Sequence, residues 1–298
     1  MNNLKFLFFT AAIITLFFCG IIRHDVDESL YTRLASEKQF DGVGEVLCNN
    51  KFNGSCVWIR DKYVLSAAHV FMEYDYRPDT VRQNGRKLVI NKPINRRQIS
   101  PSKVELVIKG KKHRVRKITV HPTYLDTASK GACDIAIVEL EEPIKDIQAM
   151  PVNEKTNELG STVVGVGYGV FGVADKPNDM GPEKSMSKRI AGQNTIDSIG
   201  GDKYQTKPTT LFADFDHPTL KDCNKMGSAT PLPLEYICSG GDSGGALFRQ
   251  VNGSWELIAI CSGAPINVQQ LLATGYYGQV MEWTRLSVFS DWIKGNAK

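Results

Sequence analysis

The sequence predicts an all-β fold, a barrel or sandwich assembled from short strands. Alternating apolar runs recur along the chain, among them Val104–Ile108, Ile118–Val120, Ile135–Leu140, Ser161–Val166 and Glu256–Ile260, each bounded by turn-forming residues. Helical periods are few, and neither an internal repeat nor a heptad pattern is present. At 298 residues with 42% hydrophobic content, the chain suits one large all-β unit or two packed halves.

Taken in order, the elements begin with a leader. Lys5 precedes an apolar run from Phe6 to Ile22, broken only by Thr10, Thr15 and Gly20. That run is short for a membrane span, and residues 1–20 read as a secretory signal peptide. An uncleaved anchor and a lipoprotein are the alternatives, the latter through Leu16-Phe17-Phe18-Cys19, where bulky Phe18 argues against it. Residues 21–37 form a largely charged and polar N-terminal segment. The first strand-rich half runs over about 38–145, with 141–157 as the connection to the second half at about 155–285. Val173–Lys188, rich in Pro, Gly, Asp and Lys, reads as a surface loop, and a C-terminal helix is expected over about 286–296.

A net charge of +4 on this length is weak and does not point to nucleic acid. The densest basic stretch, Lys109–Lys117, reads as a hairpin turn followed by a strand with solvent-facing cations, a polyanion exosite being the alternative. Setting aside Cys19 in the leader leaves Cys48, Cys56, Cys133, Cys223, Cys238 and Cys261. An even set in an exported chain suggests disulfides, with fifteen connectivities open for three bridges. Cys48 with Cys56, Cys223 with Cys238 and, by elimination, Cys133 with Cys261 is one such set; buried free thiols are the other reading.

Three segments carry chemistry. Gly240-Gly241-Asp242-Ser243-Gly244-Gly245 holds a hydroxyl on a glycine-flanked turn, where positive φ lets the amides of Gly241 and Ser243 converge on one point. A serine is a weak nucleophile without a base to take its proton. His69 closes the apolar run Tyr63-Val64-Leu65-Ser66-Ala67-Ala68, whose small residues leave room around an imidazole. Asp134 stands directly before the alternating strand Ile135–Leu140, a position that buries a carboxylate and calls for a partner.

In the order His69, Asp134, Ser243 these segments resemble the trypsin/chymotrypsin-type serine endopeptidases, over roughly residues 38 to 295. Asn53-Gly54-Ser55, His121-Pro122 and Trp292-Ile293 fall where that family has related features, whereas Val70 follows His69 where many members carry a cysteine. The resemblance implies two packed six-stranded antiparallel β-barrels with a C-terminal helix, His69 and Asp134 on the first barrel and Ser243 on the second. It implies a Ser-His-Asp triad, an oxyanion hole from Gly241 and Ser243, a polypeptide substrate, no cofactor and an extracytoplasmic location.

The same resemblance sets the substrate pocket near Tyr236, Ile237, Gly263 and Gly275. None of these is acidic, so the expectation is against Lys or Arg and toward apolar or aromatic side chains. Two departures bear on it: Cys238 stands one residue further from Ser243 than usual, and Cys261 occupies the place where a serine usually supports the aspartate. In the family a freed amine pairs with the aspartate before the nucleophile, here Asp242. Cleavage after Gly20 would make that amine Ile21.

The remaining motifs point elsewhere. Gly167-Tyr168-Gly169-Val170-Phe171-Gly172 has dinucleotide-binding spacing but no following helix, and reads as a glycine-rich turn. Asp214-Phe215-Asp216-His217 reads as an alternating strand rather than a metal site, and no H-E-x-x-H is present. Asn53-Gly54-Ser55 and Asn252-Gly253-Ser254 fit the glycosylation sequon. The competing class is an inactive homologue that serves as a binding module; an esterase of hydrolase fold is disfavoured by the triad order.

Overall fold

The computed structural model describes residues 20–83, 86–126, 132–174, 188–263 and 277–298. The N-terminal part contributes β1 (Ile21–Ile22), α1 (Glu28–Ala35), β2 (Val43–Cys48), β3 (Lys51–Arg60) and β4 (Tyr63–Ser66). A long hairpin follows, β5 (Met72–Gln83) with β6 (Arg86–Gln98), and then β7 (Val104–Ile108), β8 (Lys111–Val120), the one-turn α2 (Pro122–Leu125) and β9 (Ala136–Leu140). The second half holds β10 (Thr162–Gly167), β11 (Gly172–Val173), β12 (Ile190–Thr195), β13 (Ser198–Tyr204) and β14 (Lys207–Asp214). It ends with β15 (Tyr236–Ile237), β16 (Ala246–Val251), β17 (Ser254–Gly263), β18 (Val280–Arg285) and α3 (Ser290–Asn296), the last entered through a 3-10 turn at Leu286–Phe289.

All five runs singled out in the sequence fall on strands. β2, β3, β4, β9, β8 and β7 close into a barrel. Val46, Leu106, Ile108 and Leu140 are buried on one face of its strands, and Val43, Val57, Leu65 and Ile137 on the other, where they cluster with Phe248 and Ile260 of the second half. The Lys109-Gly110 turn adopts positive φ and leads into β8, where Lys111 and Lys112 pair with Asp146 and Glu105. In the second half six strands run β12-β10-β16-β17-β18-β14, and β13 adds a seventh on β14. The Asp197 N–H donates to Phe212 O (2.9 Å) and ties the end of β12 to β14 across the gap. The extra strand exists because the chain turns back at Ile196-Asp197 and pairs Ser198 with Phe212.

The hairpin of β5 and β6, residues 72–98, belongs to one compact unit of the chain, and both halves belong to the other. In the larger unit, Glu158 is fully buried and held by Arg285 (2.7 Å), Ser287 (2.5 Å) and Asn153, a charge neutralised where a bare one would be strongly destabilising.

The N-terminal segment is integral to the second half. Asp27 caps α1 by accepting from Ser29 N–H (2.7 Å), and the i, i+4 residues Tyr31 and Ala35 are buried. Tyr31 donates its hydroxyl to Glu235 O (3.1 Å). Ile21 and Ile22 pair in parallel with β11 and antiparallel with β15. Beneath them the ring of Tyr236 lies against Gly165 and Gly192, where an added Cβ would come within 2.2 and 2.4 Å of it.

All six described cysteines are free thiols. In the β2–β3 ladder Cys48 stands opposite Lys51 and Cys56 opposite Gly44, so the two sulfurs are offset along the sheet, and their thiols lie near Val70 O and Glu45 O instead. Cys238 lies beside the Tyr236 hydroxyl (3.1 Å) in the core. The reading that stands in this structure is the buried free thiol, Cys223 alone being partly exposed.

Candidate active site

β4 is buried along its whole length and pairs with β9, Leu65 opposite Ile137 and Ser66 opposite Ala136. Continuing past Ser66, the chain enters a 3-10 turn at Ala68–Phe71 carrying His69. Running back from Ala136 it reaches Asp134. That register brings the two side chains together. Cys133 sharpens the approach: it adopts φ 61°, uncommon for a side-chain-bearing residue, and Ile135 N–H donates back to Cys133 O (2.8 Å).

Asp134 is 9% exposed and its carboxylate is saturated with donors. Oδ1 accepts from the His69 backbone N–H (2.9 Å), and Oδ2 takes His69 Nδ1 (2.7 Å) and the Ser262 hydroxyl (2.7 Å). Its backbone carbonyl accepts from Thr284 Oγ1 (3.0 Å). Burial by itself pushes the carboxyl pKa up, but the His69 charge and the hydrogen bonds from His69 and Ser262 outweigh it and hold the group below its ordinary value. Burial likewise pulls the imidazole down, and the charge and hydrogen bond of Asp134 raise it above its ordinary value. With Nδ1 committed to Asp134, Nε2 is the nitrogen left to act as a base.

Ser262, not Cys261, supports the aspartate. In the β17–β18 ladder Ile260 stands opposite Thr284 and Cys261 opposite Trp283, so Ser262, two residues past Ile260, lies on the side of Thr284, which also bonds Asp134. Cys261 therefore turns into the core and Ser262 toward Asp134.

The serine turn is held from both sides. Gly241 and Gly244 have φ of 89° and 82°. Asp242 N–H donates to Ser239 O (2.9 Å), and Gly245 N–H to Asp242 O (2.6 Å). Ser243 O accepts from Ser55 N–H (2.8 Å), and Gly241 O from the Ser55 hydroxyl (2.9 Å), so β3 of the first barrel grips the turn of the second half. At Gly244 a Cβ would stand 2.1 Å from Ser66 Oγ, so only glycine lets the turn press against the end of β4 that leads to His69. Neither the Gly241 nor the Ser243 N–H has an acceptor among the described residues.

The glycine-rich string at 167–172 has a structural purpose. A Cβ at Gly167 or Gly169 would meet the Asp242 carboxylate at 2.1 or 2.7 Å, and Gly169 N–H donates to Asp242 Oδ1 (2.9 Å). Ser239 N–H binds Oδ2 (3.0 Å). Asp242 is 3% exposed with no basic side chain paired to it among the described residues, and burial lifts its pKa to about 6. Gly20 lies beside it: a Cβ there would be 3.5 Å from Oδ2.

The expected pocket is built differently. Tyr236 and Ile237 are fully buried in the core cluster with Ile21 and Ile22, because β15 is the surface on which β1 lies. Gly263 faces open space, and Gly275 lies outside the described residues. Asp214 and Asp216 are structural acceptors, binding the N–H groups of Lys225 and Met226 and the Asn224 amide. His121 is packed among Tyr204, Phe289 and Trp292, and burial lowers its pKa to about 4. Among the described residues no group of His, Cys, Asp and Glu is arranged to hold a metal, and no helix is long and apolar enough to cross a membrane.

Ser55, Ser262 and Thr284 are contributors that sequence reasoning missed. Ser55 was visible only as part of Asn53-Gly54-Ser55, and Ser262 was hidden by the expectation that Cys261 fills the supporting place.

A family model described as Trypsin matches residues 37–293. The chain is 25% identical over 272 residues to CLIP domain-containing serine protease B14 of Anopheles gambiae, covering 83% of this chain and 65% of that protein. It is also 25% identical over 193 residues to CLIP domain-containing serine protease B4 of the same mosquito, covering 61% of this chain and 46% of the relative. It thus spans about half to two thirds of the curated relatives it matches. Among solved structures, neuropsin, a serine protease expressed in the limbic system of mouse brain, superposes with a TM-score of 0.56 at 14% identity, over 89% of this chain and 96% of the other. The secreted serine protease VesC from Vibrio cholerae gives a TM-score of 0.51 at 19% identity, over 88% of this chain and 46% of that one.

Proposed function

Because the chain belongs to the trypsin family of serine peptidases, we propose that it hydrolyses peptide bonds through an acyl-enzyme, with Ser243 as nucleophile. The observation that carries this reading is the Asp134–His69 contact of 2.7 Å, completed by Ser262, which leaves Nε2 as the free base. His69 takes the Ser243 proton as Oγ attacks the carbonyl, then returns it to the leaving amine. Asp134 fixes the tautomer and stabilises the imidazolium. The N–H groups of Gly241 and Ser243, which have no acceptor among the described residues, receive the oxyanion, each contributing roughly 3 kcal/mol to barrier lowering.

Labelling by a fluorophosphonate tests the nucleophile against the inactive-homologue reading. Wild type is expected to label and to cleave casein, and Ser243→Ala to do neither while remaining folded. An unlabelled, inactive wild type of confirmed mature sequence would leave the binding-module reading in its place.

Asp242 supports an activation step. A buried carboxylate beside Gly20, bound only by two amides, is suited to an N-terminal ammonium released at Gly20 or Ile21 by removal of the leader. Export would then be the activating event, in keeping with an extracytoplasmic location. N-terminal sequencing of the active form checks this; a mature start at Leu34 would refute it. With Tyr236 and Ile237 in the core, Gly263 is the expected pocket position that faces open space among the described residues; it carries no charge, and the preference assigned to the enzyme is for apolar or aromatic residues. Fast cleavage of a fluorogenic library after Arg would reverse that assignment.

A further inference from the structure

One buried hydroxyl at the site has no place in the chemistry proposed above. Ser55, on β3, is fully buried, and each of its polar atoms is committed to a different part of the site. Its N–H donates to Ser243 O (2.8 Å), and its carbonyl accepts from the Ser66 hydroxyl (2.7 Å) on the strand that leads to His69. Its own hydroxyl accepts from Tyr168 N–H (3.0 Å) and donates to Gly241 O (2.9 Å). An amide N–H can only donate and a carbonyl can only accept, so the direction of both bonds is fixed.

The Gly241 carbonyl is where that hydroxyl counts. Tyr168, Gly169 and Val170 present three consecutive amides to the serine turn: Tyr168 through the Ser55 hydroxyl, Gly169 to Asp242 Oδ1 (2.9 Å) and Val170 to Gly240 O (3.2 Å). The peptide plane joining Gly240 to Gly241 is thereby held by its oxygen, and its N–H has no acceptor among the described residues. The plane joining Gly241 to Asp242 is held at both ends, its oxygen by Ser55 and its N–H by Ser239 O (2.9 Å). Between two successive glycines a peptide plane turns over at little steric cost, and a turned plane aims a carbonyl where an oxyanion needs a donor. Without the Ser55 hydroxyl, the Gly241 oxygen and the Tyr168 amide both lose the partner this fold gives them, and each then gains from a shift that finds another.

We infer that Ser55 is a positioning residue of the oxyanion site: its hydroxyl, bonded to Tyr168 on one side and Gly241 on the other, sets the orientation in which the Gly241 N–H faces the substrate. It touches no reacting atom and acts through Gly241. This role rests on Ser243 being the nucleophile, and it gives β3 of the first barrel a part in the chemistry of a turn that belongs to the second half.

The rate of fluorophosphonate labelling against pH, on the full chain in its active form, tests it. Phosphonylation needs the base and the oxyanion donors but no particular peptide. Ser55→Ala is expected to label about tenfold more slowly on the plateau, less than the roughly 10²–10³-fold that loss of a donor itself costs, with the His69 midpoint of the profile unmoved. Ser55→Cys, similar in volume but weak in hydrogen bonding, is expected to follow the alanine variant. Thr209→Ala removes another buried hydroxyl that donates to a carbonyl, Asp202 O (2.8 Å), and is expected to lower the melting temperature without slowing labelling. Steady-state cleavage of a casein-derived peptide by Ser55→Ala should repeat the loss in kcat, with KM within about twofold of wild type. Wild-type labelling by Ser55→Ala, a shifted midpoint, or a Ser55→Cys variant indistinguishable from wild type overturns the inference and leaves Ser243 standing. A wild type that does not label removes the nucleophile, and this role with it. Should Ser55→Ala not fold, Ser55→Cys decides by the same two readouts.

Discussion

Two buried aspartates, Asp134 and Asp242, lie within one molecule and are treated oppositely. Asp134 receives three hydrogen bonds, one from a group that becomes cationic, and its carboxyl is held below its ordinary pKa. Asp242 receives two, both from neutral amides, and burial lifts it to about 6. Depth does not separate them; the charge of the partner does. One carboxylate has its counter-ion in the fold, and the other is placed where the chain's own N-terminal segment runs past.

The difference can be attacked at its stronger end first. Asp134→Asn should leave His69 with the wrong tautomer and lower kcat by about 10⁴-fold, the size of effect the same change has in well-studied members of this family. Steady-state kinetics on a casein-derived peptide measure it, and a loss below tenfold would mean that Asp134 does not orient the imidazole.

Asp242→Asn should act with different signs in the two forms of the chain. In the form retaining residues 1–20 it removes a buried, unpaired charge and should stabilise at pH 7 by up to about 3 kcal/mol, the value of a two-unit pKa displacement. In the processed form it removes the partner of the new amine, and activity should fall about 100-fold through loss of the oxyanion site. Denaturant melts and kinetics of both forms separate these outcomes; equal destabilisation of both would show that the carboxylate is not awaiting a cation.

The pH dependence of folding follows the same division. Asp242 has a raised folded pKa, so its contribution is fully present below pH about 4 and is lost as pH rises through about 6. Glu235, lifted by burial to about 8, continues that loss into the alkaline range. Asp134, with a lowered folded pKa, contributes above its ordinary value and loses that contribution as pH falls. The unprocessed chain should therefore lose stability between pH 4 and 8, and processing should flatten the slope below 7. Thermal melts across that range read it directly.

Ser262→Ala should have the smallest effect. One donor to Asp134 is lost while both His69 contacts remain, so about a tenfold fall in kcat/KM is expected, with the His69 pKa in the pH–rate profile moved by less than about one unit. Restoration by Ser262→Thr would tie the effect to the hydroxyl.

Much of this arrangement was legible in the residues. The alternating runs gave the strands, and the neighbours of His69 and Asp134 pointed to the contact that the fold makes between them. What stayed hidden depended on register. Which of Cys261 and Ser262 faces Asp134 follows from the pairing of Ile260 with Thr284, and no local pattern gives that register. Tyr236 and Ile237 read as pocket residues because nothing in the sequence says that β1 covers them. The disulfide pairing suggested by an even cysteine count fails where the ladder offsets Cys48 from Cys56.

Gly165 and Gly192 touch no group that takes part in chemistry, yet the Tyr236 ring fills the space their missing side chains leave. A methyl at either site would evict that ring, and the two-residue platform beneath Ile21 and Ile22 would tilt with it. Substitution there should yield molecules that fold and stay silent, because what is damaged is the seat of the N-terminal segment and not the shell around it.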